Sequence, residues 1–360
     1  MDKVKSYVNK FGLPRIIITA FLLVLLAATA AYDMNISQSL SDVILRWGMY
    51  TILTLAMVPA IQCGIGPNFG ISLGIVGGLI GGVVVVEFQI TKIPALVAIS
   101  PAFAKWVGVL VAIGIGVFIA FFVGWLYGLL LNKVKGNEMT VTTYIGFSAI
   151  AIMNIVWTVL PVKNGELIYA NQGYGVRNTV SLAESFSEVM NKTLSFKVGN
   201  LAIPTGLILV VLFVCFLVWV FMHSKTGLAM SAAGSNGAFA KASGINVDKM
   251  RITGTILSTV LAATGIVVYA SAFGFLQFYN GPMMMGFVSV AAVLLGGATP
   301  SRAAIGHVLL GTFLFQGILA LGTPVANQIL PSLAEVMRLV VQNGMILYAL
   351  TQVKGGSGRE

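Results

Sequence analysis

Between Arg15 and Val353 the chain alternates apolar runs, most near the 17 to 25 residues a helix needs to cross a bilayer, with short polar or Gly-Pro connections. Ten such runs occupy about 15–32, 42–61, 68–87, 104–131, 138–160, 201–222, 251–274, 283–298, 303–322 and 335–353. The fourth is long enough to tilt or project, and the eighth is short and flanked by glycine. Only two sizeable polar insertions interrupt the pattern, at 162–200 and 223–250. This predicts an all-α polytopic membrane protein of about ten spans, with residues 1–360 forming one transmembrane domain. The first run ends in "LLAATAAYD", a small-residue pattern that also suits signal cleavage. Its apolar stretch from Ile16 to Tyr32 exceeds the usual signal core, so an uncleaved first span is the better reading.

A frame recurs within the pattern. Gly66 to Gly82 reads "GPNFGISLGIVGGLIGG" and Gly281 to Gly297 reads "GPMMMGFVSVAAVLLGG", each opening on Gly-Pro and closing on Gly-Gly at the same length. With the N-terminus in the cytoplasm, the first Gly-Pro falls at the cytoplasmic end of the third span and the second at the external end of the eighth. The expectation is therefore two inverted repeats, about 42–160 and 251–353, of the kind transporters use to alternate access. Pro67 and Asn68, after "QCGIG", mark a break that dips into the membrane, tolerable only where protein or a water-filled cavity covers the freed backbone groups.

Hydrophobic residues make up 58% of the chain and charged ones 9%, which excludes an ordinary soluble domain. The net charge of +10 is spread between apolar runs rather than gathered in a stripe with interleaved aromatics, so nucleic acid is excluded as a partner. The lysines and arginines act instead as topology signals. Lys3, Lys5, Lys10, Lys133, Lys135, Lys225, Lys241, Lys249, Arg251 and Arg302 gather on one side, the cytoplasmic one, and place the long 162–200 loop outside, with both termini in the cytoplasm.

Candidate chemistry is sparse. Cys63 and Cys215 lie far apart in or beside apolar runs and support neither a disulfide nor a metal site. His223 and His307 lack an H-E-x-x-H neighbour for a metal, and no G-x-x-x-x-G-K-[ST] loop offers a nucleotide site. Ser148 with His307 as base lacks a third, orienting group. No cofactor is implied, and the chain reads as non-catalytic. Its charges cluster at span ends, leaving no members for a proton relay. An uncharged path for a small polar solute fits better, with Asn68, Phe69, Ser72, Asn154, Trp157, Ser289 and Gln316 as candidates, each of which also suits an ordinary interhelical hydrogen bond or packing contact. The aromatic "FGFLQFYNGP", Phe273 to Pro282, is either an external gate or an interfacial belt. In "VSLAESFSEVMNK" the spacing of Val180, Leu182, Phe186 and Val189 predicts a short amphipathic helix on the external surface.

The most informative stretch is "HSKTGLAMSAAGSNGAFAKASGINVDKMR", His223 to Arg251. Ser235 or Asn236 suits a helix N-cap, the following residues to Ser243 are mostly good formers, and Gly244 suits the left-handed position after the end. With "GFVSVAAVLLGGATPSRAAIGHVLLGTFLFQGI" and "NEMTVTTYIGFSAIAIMN", this stretch resembles the permease subunits of bacterial ABC importers for simple sugars, nucleosides and branched-chain amino acids. That resemblance implies a type II importer permease. It makes the short helix a coupling helix that enters a cleft on a separate ATPase, through Ala233, Gly234, Asn236, Phe239, Ala240, Lys241, Ser243, Gly244 and Ile245. It further implies a second permease, identical or paralogous, a pair of ATPase subunits and an external binding protein. The chain departs from the sugar-permease pattern at Ser72 in "GISLG", where an acidic residue is usual, and at "ATPSRAAIG". The alternative class is a gradient-driven secondary transporter or channel.

Overall fold

The computed structural model describes residues 13–169, 173–279 and 281–356. Lys3, Lys5, Lys10 and both chain termini, used above to assign sidedness, lie outside the described residues. Helix α1 covers Leu13–Ala31, α2 Ile36–Leu55, and α3 Met57–Gln62 extends α2 almost without interruption. Then come a broken stretch, a single 3-10 turn at Phe69–Ile71, α4 (Ser72–Glu87), α5 (Pro94–Ile99), α6 (Pro101–Lys133) and α7 (Glu138–Val159). Short pieces follow: β1 (Thr179–Ser181), α8 (Val189–Lys192), β2 (Phe196–Val198) and β3 (Leu201–Ile203). The rest is α9 (Thr205–Met222), α10 (Lys225–Ser235), α11 (Gly237–Ala242), α12 (Val247–Phe273), β4 (Phe275–Gln277), α13 (Gly281–Leu295), α14 (Ile305–Ile329) and α15 (Ala334–Gly356).

Among the described residues, eight helices are long and apolar enough to cross a membrane. The stretches Arg15–Ala31 and Gly281–Leu295 are shorter apolar helices, and together these ten elements match the ten expected runs. The spans of α2, α4, α12 and α14 are mostly buried and form the centre of the bundle. Those of α6, α7, α9 and α15 keep broad apolar faces exposed, which suits lipid. Small residues let the central helices approach: a Cβ on Gly116 would lie 2.9 Å from the Cα of Gly78, so α4 and α6 meet backbone to backbone.

Several helix contacts recur when the two candidate repeats are exchanged, although α14 packs along α15 and α6 does not pack comparably on α7. Helix α6 of the first lies along α12 of the second, as α14 of the second lies along α2 of the first. Likewise α4 packs on α6 and α12, and α13 on α14 and α2. The two halves are tied by Trp47, whose Nε1 donates to the Leu309 carbonyl at 3.0 Å, and by the Gln62 side-chain amide, which donates to the Ala303 carbonyl.

Two expectations are corrected. The Gly-Pro frames do not sit at opposite ends of the bundle. Ser72, the first residue of α4, donates from Oγ to the Pro282 carbonyl at 3.4 Å, so α4 and α13 start beside each other inside the bundle and run apart. At 1.5 Å per residue the 16 residues of α4 and the 15 of α13 reach only about 24 and 22 Å, short of a ~30 Å hydrocarbon core. With the 3-10 turns Phe69–Ile71 before it and Ile90–Lys92 after it, the α4 stretch becomes long enough to cross, whereas α13 stays a shorter apolar helix.

Nor does the 180–189 stretch form an amphipathic surface helix. Val180 lies in β1, which pairs antiparallel with β4 (Thr179↔Gln277, Ser181↔Phe275), and Val180, Leu182 and Phe186 are buried. The spacing of Val180 and Leu182 was a strand's alternation, and only Val189–Lys192 is helical. Within "FGFLQFYNGP", Phe275–Gln277 is a strand and Phe278 is buried 5.0 Å from the Trp157 ring, while Phe273 and Phe275 stay exposed.

Candidate translocation path and coupling face

The 223–251 loop folds as its cap residues dictate. The Ser224 hydroxyl accepts from the Gly227 N–H at 3.3 Å and opens α10, an eleven-residue helix that the sequence reading had not separated. Asn236 Oδ1 accepts from the Phe239 N–H at 3.0 Å and opens α11, and Asn246 Oδ1 accepts from Lys249 N–H at 2.9 Å to open α12. Gly244 has φ +82°, the left-handed turn after α11, and the next N–H, of Ile245, bonds back to the Ala240 carbonyl at 2.9 Å.

The nine expected coupling residues divide by role. Ala233 and Ala240 are buried, with Gly234 and Ile245 half-buried, and these anchor the loop. Asn236, Phe239, Lys241, Ser243 and Gly244 are exposed, and Phe239 projects with 69% of its surface free. A large aromatic exposed beside a polar helix is the arrangement that another protein's pocket can grip.

Beneath that face the loop rests on the break. A Cβ on Gly234 would meet the Gln62 carbonyl oxygen and would lie 2.7 Å from the Gly64 amide nitrogen. Gly64 itself has φ +81°. The Gly64 carbonyl accepts from Arg251 Nη1 at 3.3 Å, and the same guanidinium donates through Nε to Asn132 Oδ1 at 3.0 Å and through Nη2 to Glu138 at 2.6 Å and the Leu131 carbonyl at 3.4 Å. Arg251 thus joins the end of α6, the start of α7, the start of α12 and the break. Its ion pair with Glu138 is largely buried, unlike the other five ion pairs among the described residues. In the sequence Arg251 reads as a topology signal alone, because 113 residues separate it from Glu138 and hide the pairing. Cys63, next to Gly64, is buried, and burial pushes its thiol up to about 12, so it stays an inert thiol.

The two recessed helix starts make a second centre. Phe69, Ser72, Phe147, Met283, Gly286 and Phe287 enclose a void of only about 10 Å³. The Phe287 ring lies 5.2 Å from Phe69 and 6.0 Å from Phe147, which plugs the space between α4, α7 and α13. Of the seven path candidates, Phe69 and Ser72 therefore come together. Asn154, two turns beyond Phe147 on α7, has its Oδ1 buried without a partner. Trp157 is buried against Phe278.

Neither Asn154 nor Trp157 lines this void, and the other three do not either. Asn68 is fully buried and its polar atoms are engaged: Oδ1 accepts from Tyr127 Oη at 2.7 Å and from the Gly70 N–H at 3.0 Å, while Nδ2 donates to Ser258 Oγ at 3.1 Å. This network holds the approach to α4 in place. Ser289 Oγ donates to the Met285 carbonyl of its own helix at 2.8 Å. Gln316 is buried within α14 with Nε2 unpartnered. Among the described residues no group of His, Cys, Asp and Glu gathers to hold a metal.

Known proteins share segments of this chain. A nucleoside ABC transporter permease protein, NupC, from Lactococcus lactis subsp. cremoris is 34% identical over 101 residues, covering 28% of this chain and 32% of that one. A fructose import permease protein, FrcC, from Rhizobium meliloti is 29% identical over 130 residues, 36% of each chain. A probable ABC transporter permease protein, YphD, from Escherichia coli K12 is 36% identical over 165 residues, covering 42% of this chain and 47% of that one. The matched segments thus span less than half the length of these relatives. No solved structure matches. The family model for the branched-chain amino acid transport system permease component matches residues 39–350, and with the fold and the loop just described it makes this chain a member of that permease family.

Proposed function

We propose that the chain is the membrane-spanning subunit of an ATP-driven importer, passing a small neutral polar solute, a simple sugar or a nucleoside, that an external binding protein delivers. The observation that carries this is the seat of the loop: α10 rests through Gly234 on the Gly64 break that leads into α4, and the exposed, Asn-capped α11 bearing Phe239 follows it directly. Movement of a partner gripping α11 has a backbone route to the recessed helix starts. ATP hydrolysis belongs to that partner, since the chain has no phosphate-binding loop. Two inverted units, about 42–160 and 251–353, in one transmembrane domain belong to this reading, with the matching α6–α12 and α14–α2 contacts in its favour. A second permease copy or paralogue completes the pathway in this reading. The end carrying α10 and α11 is cytoplasmic, with both termini on that side, in the inner membrane of a bacterium.

The deciding experiment is reconstitution. Uptake into proteoliposomes is expected only with the ATPase, the binding protein and ATP; accumulation by vesicles holding this chain alone under an ion gradient would transfer it to the secondary-transporter class. Sidedness is checked with a thiol reagent that does not cross membranes, in a background with Cys63 and Cys215 replaced. Glu184→Cys should label in intact cells and Ser235→Cys only after the membrane is opened.

The plug of Phe69, Phe147 and Phe287 is the closed point of the path in this reading. Phe287→Ala removes the ring common to both aromatic contacts. Passive entry of ribose into proteoliposomes should rise severalfold, and unchanged permeability would place the path elsewhere.

A further inference from the structure

Opposite the loop end, Thr158, Tyr169, Tyr174, Asn178 and Tyr279 line a cup of about 470 Å³. Its volume falls within the range of small-molecule sites. Tyr169 and Tyr174 present their rings to the surface, 44% and 53% exposed. Tyr279 is half-buried, its hydroxyl donates to the Val176 carbonyl at 3.0 Å, and its backbone is held at φ 52°, a strained conformation for a bulky residue. Tyr279 stands two residues before α13, one of the three helices that meet at the phenylalanine plug.

The cup's chemistry is specific in what it lacks. None of its lining residues among the described ones carries a charge, and the nearby Arg177 guanidinium donates to the carbonyls of Ile168 and Gly165 at 2.7 and 3.2 Å. An amino acid zwitterion or a phosphorylated solute would find no counter-ion among those lining residues. Tyrosine rings instead cover the apolar faces of sugar and base rings, and the Tyr, Thr and Asn side chains exchange hydrogen bonds with hydroxyl or base-edge groups. One turn further along α7, the Thr158 hydroxyl donates to the Asn154 carbonyl at 2.6 Å, and Asn154 Oδ1 is the buried acceptor left without a partner. A polar step thus lies between the cup and Phe147 on the same helix.

We propose that the Tyr169, Tyr174 and Tyr279 cup is an acceptor site for an uncharged ring solute, a pentose or a nucleoside, held there before the plug opens. Its place in import rests on the function proposed above; its ligand class rests on the cup alone. The test uses the full chain in lipid nanodiscs, with saturation-transfer NMR and three probes: D-ribose, uridine and L-leucine. Ribose or uridine should receive saturation from the aromatic protons while leucine does not. Tyr174→Ala and Tyr169→Ala should each cut the signal at least fivefold, and Tyr174→Phe, which keeps the ring, should retain most of it. Both mutated side chains are largely solvent-exposed, so folding should be spared. Absence of signal from both ribose and uridine, an equal signal from leucine, or a signal unchanged in both alanine variants would each overturn the proposal. None of these readouts involves ATP or a partner protein, so a failure of ATP-driven uptake leaves them standing and strikes only the importer reading.

Discussion

Arg251→Met is expected to destabilise the solubilised chain by about 3–5 kcal/mol, because it strands Glu138 where little water reaches it. The side chains of Arg251 and Glu138 are 8% and 13% exposed, and the guanidinium also satisfies Asn132 and the carbonyls of Gly64 and Leu131. Losing it leaves acceptors from three elements unpaired at once. Replacing both charges, Arg251→Met with Glu138→Leu, should recover much of the loss, since a buried pair exchanged for apolar groups of similar size is often neutral or better. Lys135→Met is the comparison: its partner Asp248 and it are both about half exposed, so about 0–1 kcal/mol is expected. Thermal unfolding followed by size-exclusion fluorescence measures all three, and an Arg251→Met shift no larger than that of Lys135→Met would remove the guanidinium from its central place.

What sequence made legible follows from the range over which each signal acts. Ten membrane-crossing elements were readable because hydropathy is summed along the chain, and α11 was readable because Asn236 and Gly244 carry their instructions within a few residues. The Gly-Pro frames announced that something repeats, but not depth: Pro67 and Pro282 read the same at a membrane surface as in its interior, and only the Ser72 to Pro282 contact shows that the helices start inside. The 180–189 helix failed because apolar residues at 180, 182, 186 and 189 satisfy a short strand as well as a helix, and pairing with Phe275–Gln277, nearly a hundred residues away, decided between them. The plug was half-read: Phe69 and Ser72 were singled out, while Phe147 and Phe287 look like any aromatic in a lipid-facing helix until the helices are assembled. Asn68 was singled out for its polarity, which the fold uses to bind Tyr127 and Ser258.

Gly234→Val should abolish ATP-driven uptake, at least tenfold below the parent, while leaving the chain in the membrane. The position has no room for a side chain: its neighbours are the Gln62 carbonyl, the Gly64 amide nitrogen and, at 2.9 Å from a Cβ, the carbonyl carbon of Cys63, all backbone. Backbone cannot rotate away as a side-chain tip can, so the loop must lift or the break must shift, and either change severs α11 from the approach to α4. Two neighbouring glycines separate this effect from a general intolerance of the loop. Gly237 would place a new Cβ 3.9 Å from Val247 Cγ1, an ordinary contact, so Gly237→Ala should transport normally. Gly244 has open space around it but φ +82°, so Gly244→Ala meets only the backbone penalty of about 1–2 kcal/mol and should weaken coupling partially. ATPase activity and solute uptake measured together in the reconstituted complex give the order expected: Gly237→Ala near the parent, Gly244→Ala intermediate, Gly234→Val with hydrolysis no longer linked to uptake. Equal uptake by all three would mean that the seat of α10 on the break transmits nothing, and the coupling route would have to be sought away from Gly64.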